Sequence, residues 1–132
     1  MKITIAIGID ATAEAIWRVL EPIERHVDWM EDAESITFTT DQTRGAGTTF
    51  DCVTKVGPIR LVDHMTVSRW EPPHLMGVDH RGLVRGSGLF TIDNNRFTWT
   101  EEMQFPWWLS APVLRRVWRR NLQRLKQLVE AS

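Results

Sequence analysis

An acidic side chain lies between apolar side chains on one face of a predicted strand late in the sequence. Glu101 alternates with Trp99 and Met103, so the three side chains point to the same side of that strand. A carboxyl group in these surroundings loses its water, which should raise its pKa and suit it to act as a general acid or as a hydrogen-bond donor to a ligand carbonyl. The alternative is that Glu101 pairs with an arginine or lies at a solvated rim.

Asp63 and His80 form a second candidate site. Pairing their two predicted strands so that apolar residues oppose apolar residues sets Asp63 directly opposite His80. A carboxylate beside an imidazole can orient it as a general base, although such cross-strand pairs also occur for structural reasons alone. The same register places this pair about 13 Å along the sheet from Glu101, at ~3.3 Å per residue, so we expect the two groups not to act on one atom.

Two further residues bear on this site. The turn at residues 93–96 sets Gly88 opposite Glu101 on the neighbouring strand, so a residue without a side chain lies beside the acid. On the C-terminal helix, Asn121 falls among apolar residues. Its amide either hydrogen-bonds the polar end of a ligand or lies at the edge of the apolar stripe and meets solvent.

These residues must be positioned by a chain of short segments separated by tight turns. Apolar alternation predicts strands over 2–9, 33–40, 48–56, 59–69, 75–80, 84–92 and 96–105, and helical spacing predicts helices over 11–20, 24–29 and 110–132. Connections this short pair neighbouring strands antiparallel. We therefore expect an α+β fold with two short helices after strand 1, a seven-stranded antiparallel sheet and a long C-terminal helix, in a single domain over residues 1–132.

The C-terminal helix is strongly amphipathic. Its apolar face, which must be buried, comprises Leu114, Val117, Trp118, Leu122, Leu125, Leu128 and Val129. Its outer face comprises Arg115, Arg116, Arg119, Arg120, Arg124 and Lys126. The basic face either balances the acidic remainder of the chain as a solvated surface or docks on an anionic membrane. Nucleic acid is not expected as a partner, because residues 1–108 carry 10 Lys/Arg against 16 Asp/Glu and no recognition motif is present.

Seven short motifs follow one another in a characteristic order along nearly the whole chain. They are Ala13-Glu-Ala-Ile-Trp17, Trp29-Met30, Gly45-Ala-Gly-Thr-Thr-Phe50, Glu71-Pro-Pro73, Gly86-Ser-Gly-Leu-Phe90, Thr98-Trp-Thr-Glu101 and Leu122-Gln-Arg-Leu-Lys126. In these motifs the chain resembles the START-like helix-grip superfamily, specifically its polyketide cyclase/dehydrase and lipid-transport (SRPBCC) branch. The resemblance implies a curved seven-stranded sheet wrapped around the C-terminal helix with a ligand cavity between them. Such a fold does not by itself fix the function.

We expect the inward-facing residues of sheet and helix to bind the ligand. They are Phe38, Phe50, Leu61, Met65, Met76, Val78, Gly88, Phe90, Trp99, Met103, Val117, Trp118 and Asn121. The leading hypothesis is a carrier of a small hydrophobic molecule, lipid-like or aromatic and polyketide-like, because the candidate polar groups are few and scattered. The alternatives are a cyclase or dehydrase using Glu101 or the Asp63/His80 pair, and a partner- or membrane-docking module.

Other site classes find little support in the sequence. Cys52 is the only cysteine, so an internal disulfide and a multi-cysteine zinc site are excluded, and it reads as a small inward-facing residue on its strand. The histidines lack metal-ligand spacing, and no cofactor motif is present. Without a secretory signal or a membrane-spanning stretch, a cytoplasmic protein is expected. Trp107 and Trp108 either cover the mouth of the cavity or meet a partner, and the oligomeric state is not indicated.

Overall fold

The computed structural model describes residues 1–104 and 111–132, and its elements follow the predicted order. They are β1 (Lys2–Gly8), α1 (Ala13–Leu20), a 3-10 helix (Ile23–Asp28), β2 (Ala33–Phe38), β3 (Thr49–Val56), β4 (Ile59–Glu71), β5 (Leu75–Arg81), β6 (Arg85–Asp93), β7 (Arg96–Gln104) and α2 (Ala111–Ala131). Every predicted helix and strand is present, with ends that differ by a few residues. No helix in these two stretches combines the length and apolarity needed to cross a bilayer.

The seven strands form one curved antiparallel sheet in the order β1-β7-β6-β5-β4-β3-β2. The predicted helix-grip α+β fold is therefore confirmed. The sheet buries one face against α2, so buried and more exposed residues alternate along its strands. On β1, Ile3 and Ile5 are buried, while Lys2 and Thr4 between and beside them are exposed. The first helix is N-capped by Thr12, whose hydroxyl oxygen accepts a hydrogen bond from the amide of Ala15, and it ends before Pro22.

The buried face of α2 is close to the predicted one. Six of the seven predicted residues are buried, and Asn121 lies among them with no solvent exposure. Leu128 is the exception, because it is 40% exposed. It lies at the border of the apolar stripe, in the last turns of the helix.

The predicted strand register is confirmed at one end of the sheet and wrong in the middle. On β6 and β7, Gly88 pairs with Glu101 as expected. On β4 and β5, however, His80 pairs with Met65 rather than Asp63. On β5 and β6, a three-residue loop at 81–83 would set His80 beside Val84, but His80 pairs with Gly86, again a shift of two residues.

The error has a physical cause. A shift of two residues leaves every side chain on the same face, so matching apolar residues across the strands cannot detect it. The actual register places Val67 opposite Val78, which satisfies the apolar rule equally well, and an irregularity between Val67 and Arg69 absorbs an extra residue of β4. This shift determines which polar groups meet in the interior.

Candidate functional site

A cavity of about 110 Å³ lies between the concave face of the sheet and α2. Of the residues predicted to bind a ligand, nine line it: Phe50, Leu61, Met65, Met76, Val78, Phe90, Trp99, Met103 and Trp118. Phe38, Gly88, Val117 and Asn121 do not line it. Phe38 packs edge-on against Phe50, its cross-strand neighbour, and Val117 instead lines a surface groove beside α2.

Aromatic rings form much of the wall between sheet and helix. Trp99 on β7 stacks on Trp118 of α2, with ring centroids 4.8 Å apart and an interplanar angle of 22°. Phe90 contacts Trp99 edge-on at 5.3 Å. Because offset aromatic contacts of this kind are favourable and rigid, they hold the sheet and helix at a fixed separation around the cavity.

His80 lies between two buried carboxylates at one side of the cavity. Its Nδ1–H donates to Asp63 Oδ2 at 2.8 Å, and its Nε2–H donates to Glu101 Oε2 at 2.9 Å. All three side chains are buried and line the cavity. The prediction that Glu101 lies about 13 Å from the Asp63/His80 pair is therefore wrong, because the two-residue register shift places His80 opposite Gly86 on β6, from where its ring reaches Glu101 on β7.

The electrostatics of this cluster follow from its contacts. Burial alone would lower the pKa of His80, but hydrogen bonds and the negative charge of Asp63 and Glu101 outweigh it and raise the pKa to about 10. The imidazole is therefore protonated at neutral pH and uses both of its N–H groups within the cluster. We refer to Asp63, His80 and Glu101 as the buried triad.

Glu101 is held in place from two further sides. The indole Nε1–H of Trp99 donates to Glu101 Oε1 at 3.0 Å. Across the strand, Gly88 leaves room for the carboxylate, because a Cβ at that position would lie 2.5 Å from Oε1. Glu101 thus neither pairs with an arginine nor lies at a solvated rim, since it is only 6% exposed and bonds to a histidine and a tryptophan.

Asn121 has a different role from either of the two predicted. Its Nδ2–H donates to Asp32 Oδ1 at 2.7 Å, and its Oδ1 accepts the backbone N–H of Glu31 at 2.8 Å. Trp118 Nε1–H also donates to Asp32. Although these hydrogen bonds favour the carboxylate, burial is the larger influence and raises the pKa of Asp32. Asn121 therefore fixes α2 to the segment before β2 and is satisfied by protein groups.

His26, Asp32 and Cys52 line the cavity but were not among the predicted ligand contacts. His26 Nε2–H donates to the Leu20 carbonyl at 2.7 Å, and burial lowers its pKa to about 4. Cys52 faces inward as predicted, and burial raises the pKa of its thiol to about 12, so it is not a thiolate nucleophile near neutral pH. His26 was missed because a six-residue 3-10 helix is too short to show a periodic pattern.

The basic outer face of α2 is partly paired. Arg120 forms a salt bridge with Glu31 at 3.1 Å, and Lys126 forms one with Glu130. Trp107 and Trp108 lie outside the described residues. Within residues 1–104 and 111–132, no group of three or more potential ligands is arranged to hold a metal ion.

Comparison with known proteins gives a consistent result for the fold. Residues 1–130 match the family described as polyketide cyclase/dehydrase and lipid transport. The structure is similar to that of TTHA0849 from Thermus thermophilus, with a TM-score of 0.76 and 16% identity over 99% of this chain and 98% of that one. It is also similar to CV1439 from Chromobacterium violaceum, with a TM-score of 0.73 and 15% identity over 98% and 97% of the two chains. Comparison with curated proteins gave no match.

Proposed function

Because the chain belongs to the polyketide cyclase/dehydrase and lipid transport family, we propose that its cavity binds a small, mostly apolar ligand whose polar group meets the buried triad. The observation that carries this proposal is the cavity itself. Its wall consists largely of aliphatic and aromatic side chains, with a few polar groups placed on it, which is the usual make-up of a small-molecule site.

Both the apolar wall and the buried triad would stabilise a ligand that has an apolar body and one polar group. An apolar ligand that leaves water for the cavity gains about 25 cal/mol per Å² of its apolar surface. A hydroxyl or N–H group on the ligand can hydrogen-bond to Glu101, whose oxygens are held by His80 and Trp99. A carboxylate oxygen accepts more than one hydrogen bond, so a ligand donor can join these contacts without displacing them.

Native mass spectrometry of the purified protein tests this proposal. We expect a co-purifying molecule that is lost on denaturation. The matched variants are Val78→Phe, which fills the cavity, and Asp79→Phe, which places the same ring on the exposed face of β5. Val78→Phe should abolish the bound mass while Asp79→Phe retains it.

If the ligand is lost during purification, binding of a fluorescent dye is compared in the same two variants. The probe is then N-phenyl-1-naphthylamine, an uncharged dye whose fluorescence rises in apolar cavities. A folded wild-type protein that binds neither a cellular molecule nor this probe would count against the proposal. Equal binding by Val78→Phe and wild type would place the ligand elsewhere.

We propose proton transfer as a second function, because the buried triad brings together the groups that such catalysis needs. In a polyketide-like substrate, the Glu101 carboxylate would take a proton from a carbon between two carbonyl groups. The carbanion would attack another carbonyl of the same molecule, and the resulting alkoxide would take that proton back from Glu101. Protonated His80, held by Asp63, would stabilise the negative charge while it develops.

Glu101→Gln separates these two functions. The substitution keeps the size of the side chain and removes its ability to accept a proton. If the triad is catalytic, cyclisation of a linear 1,3,5,7-tetracarbonyl compound, in which attack of C2 on C7 closes a six-membered ring, should fall at least about 100-fold while binding stays within a few-fold. The product is an isomer of the substrate, so it is followed by chromatography and NMR. If wild type and Glu101→Gln are equally inactive but bind equally well, the protein is a carrier.

A further inference from the structure

The charged groups that line the cavity are mostly acidic. They are Asp32, Asp63, His80 and Glu101, and no arginine or lysine lines the cavity within residues 1–104 and 111–132. Residues 105–110 contain no charged side chain. The one cation, His80, already donates both of its N–H groups to Asp63 and Glu101. A ligand carboxylate would therefore meet carboxylates and no free cation, which makes its desolvation unfavourable.

His26 adds an acceptor to this set. Its Nε2 lies 2.7 Å from the Leu20 carbonyl, and because a carbonyl can only accept, Nε2 must carry the proton. The ring is neutral, so Nδ1 has a lone pair. This nitrogen has no hydrogen-bond partner among the described residues, yet the ring lines the cavity and is only 5% exposed. An acceptor left open on the wall of the cavity can take a hydrogen bond from a ligand or a bound water.

His26 lies on the same cavity as the triad and is linked to it through Phe90. The His26 ring contacts Phe90, with centroids 6.0 Å apart. Phe90 is the next inward-facing residue after Gly88 on β6, and Gly88 lies opposite Glu101. Two residues along a strand span roughly 7 Å. His26 and Glu101 therefore line neighbouring parts of the cavity wall.

We propose that the ligand is an uncharged molecule with hydrogen-bond donors at two positions, one for Glu101 and one for His26 Nδ1, as in a dihydroxylated aromatic ring. The proposal rests on the proposed ligand-binding function and adds the ligand's chemical class and the contact with His26. Fatty acids and other carboxylates are disfavoured ligands. The competing explanation is a fixed water that joins His26 to the indole N–H of Trp29. This N–H is buried without a partner among the described residues. The centroids of the His26 and Trp29 rings are 5.2 Å apart.

The first test uses the wild-type protein, so it does not depend on a variant folding. The protein is labelled with ¹⁵N at its histidines and titrated with resorcinol, with 1,3-dimethoxybenzene, which has no donors, and with benzoate. We expect resorcinol to shift the His26 Nδ1 resonance towards the hydrogen-bonded position. Dimethoxybenzene should leave that resonance unchanged even when it binds, and benzoate should bind least.

The second test compares variants. His26→Phe keeps an aromatic ring and removes the acceptor, and His64→Phe makes the same change at an exposed histidine as the matched control. His26→Phe should lower the ratio of resorcinol affinity to dimethoxybenzene affinity about two- to tenfold, the effect of one hydrogen bond. His64→Phe should leave this ratio unchanged. A general loss of packing would weaken both compounds alike.

The outcomes separate the inference from the function it rests on. If none of the three compounds binds and the cavity-filling variant matches wild type towards every probe, both fail. If the compounds bind without preference for donors, or the Nδ1 resonance does not move, ligand binding stands and the inference is overturned in favour of the fixed water. Tighter binding of benzoate than of resorcinol would also overturn it.

Discussion

Protonation of His80 should make the stability of the protein fall as the pH rises through the neutral range. The pKa of His80 is raised from its usual value of 6.5 to about 10 by Asp63 and Glu101. A group whose pKa is higher in the folded state contributes its full stabilisation below pH 6.5, and this contribution is lost as the pH rises towards 10. Between these values the unfolded chain releases the proton while the folded protein keeps it.

The magnitude follows from the linkage relation. With pKa values of 6.5 and about 10, the free energy of unfolding should fall by about 2.5 kcal/mol between pH 7 and pH 9. Cys52 would add to the loss near pH 9, since burial also raises the pKa of its thiol. Measurements are therefore made on proteins that carry Cys52→Ala.

Urea denaturation followed by tryptophan fluorescence at pH 7, 8 and 9 measures this effect. The comparison protein carries His80→Gln, which removes the titrating group and should have a nearly flat profile. Its stability at pH 7 should be lower by about 3–5 kcal/mol, because two buried carboxylates lose their cation. A flat profile for the protein that retains His80 would refute the reasoning. So would an NMR titration in which His80 loses its proton near pH 6.5.

Three other perturbations have defined outcomes. Gly88→Ala should displace the carboxylate opposite it and lower stability by about 1–3 kcal/mol, whereas Gly8→Ala, with open space around its Cβ, should change the urea midpoint little. Asn121→Leu should cost about 2 kcal/mol, because the buried Asp32 loses one of its two side-chain donors and the Glu31 amide loses its acceptor, and Gln123→Leu on the exposed face should not. For His26 the sign of the pH effect is reversed. Since its folded pKa is about 4, stability should fall by about 3 kcal/mol from pH 6.5 to pH 4 in acid titrations, and His26→Phe should lack this part of the loss.

The elements and the general fold could be predicted because their signals are local. The Ile3 to Ile9 alternation and the apolar stripe of α2 each determine which face is buried, independently of the rest of the chain. The β6–β7 register also followed from local information, since the tight turn at residues 93–96 leaves a single regular pairing that sets Gly88 beside Glu101.

The buried triad could not be predicted, although each of its members was singled out. Its assembly depends on the pairing of β4 with β5 and of β5 with β6, and a two-residue shift preserves the inward face at every position. The irregularity after Val67 has no signature that distinguishes it from a regular strand. Asn121 was interpreted as a ligand contact for a related reason, since the partner that satisfies it, Asp32, lies about 90 residues away in sequence.

The pairing of β1 with β7 has a consequence for the way the chain folds during synthesis. Strands β2 to β7 each pair with a sequence neighbour, but β1 pairs with residues 96–102, which leave the ribosome roughly 95 residues after it. At about 5–20 residues per second, Ile3 and Ile5 wait on the order of 5–20 seconds for their partner strand. During that time β1 is an unpaired apolar strand, the kind of segment that chaperones bind, while the meander after it can already form.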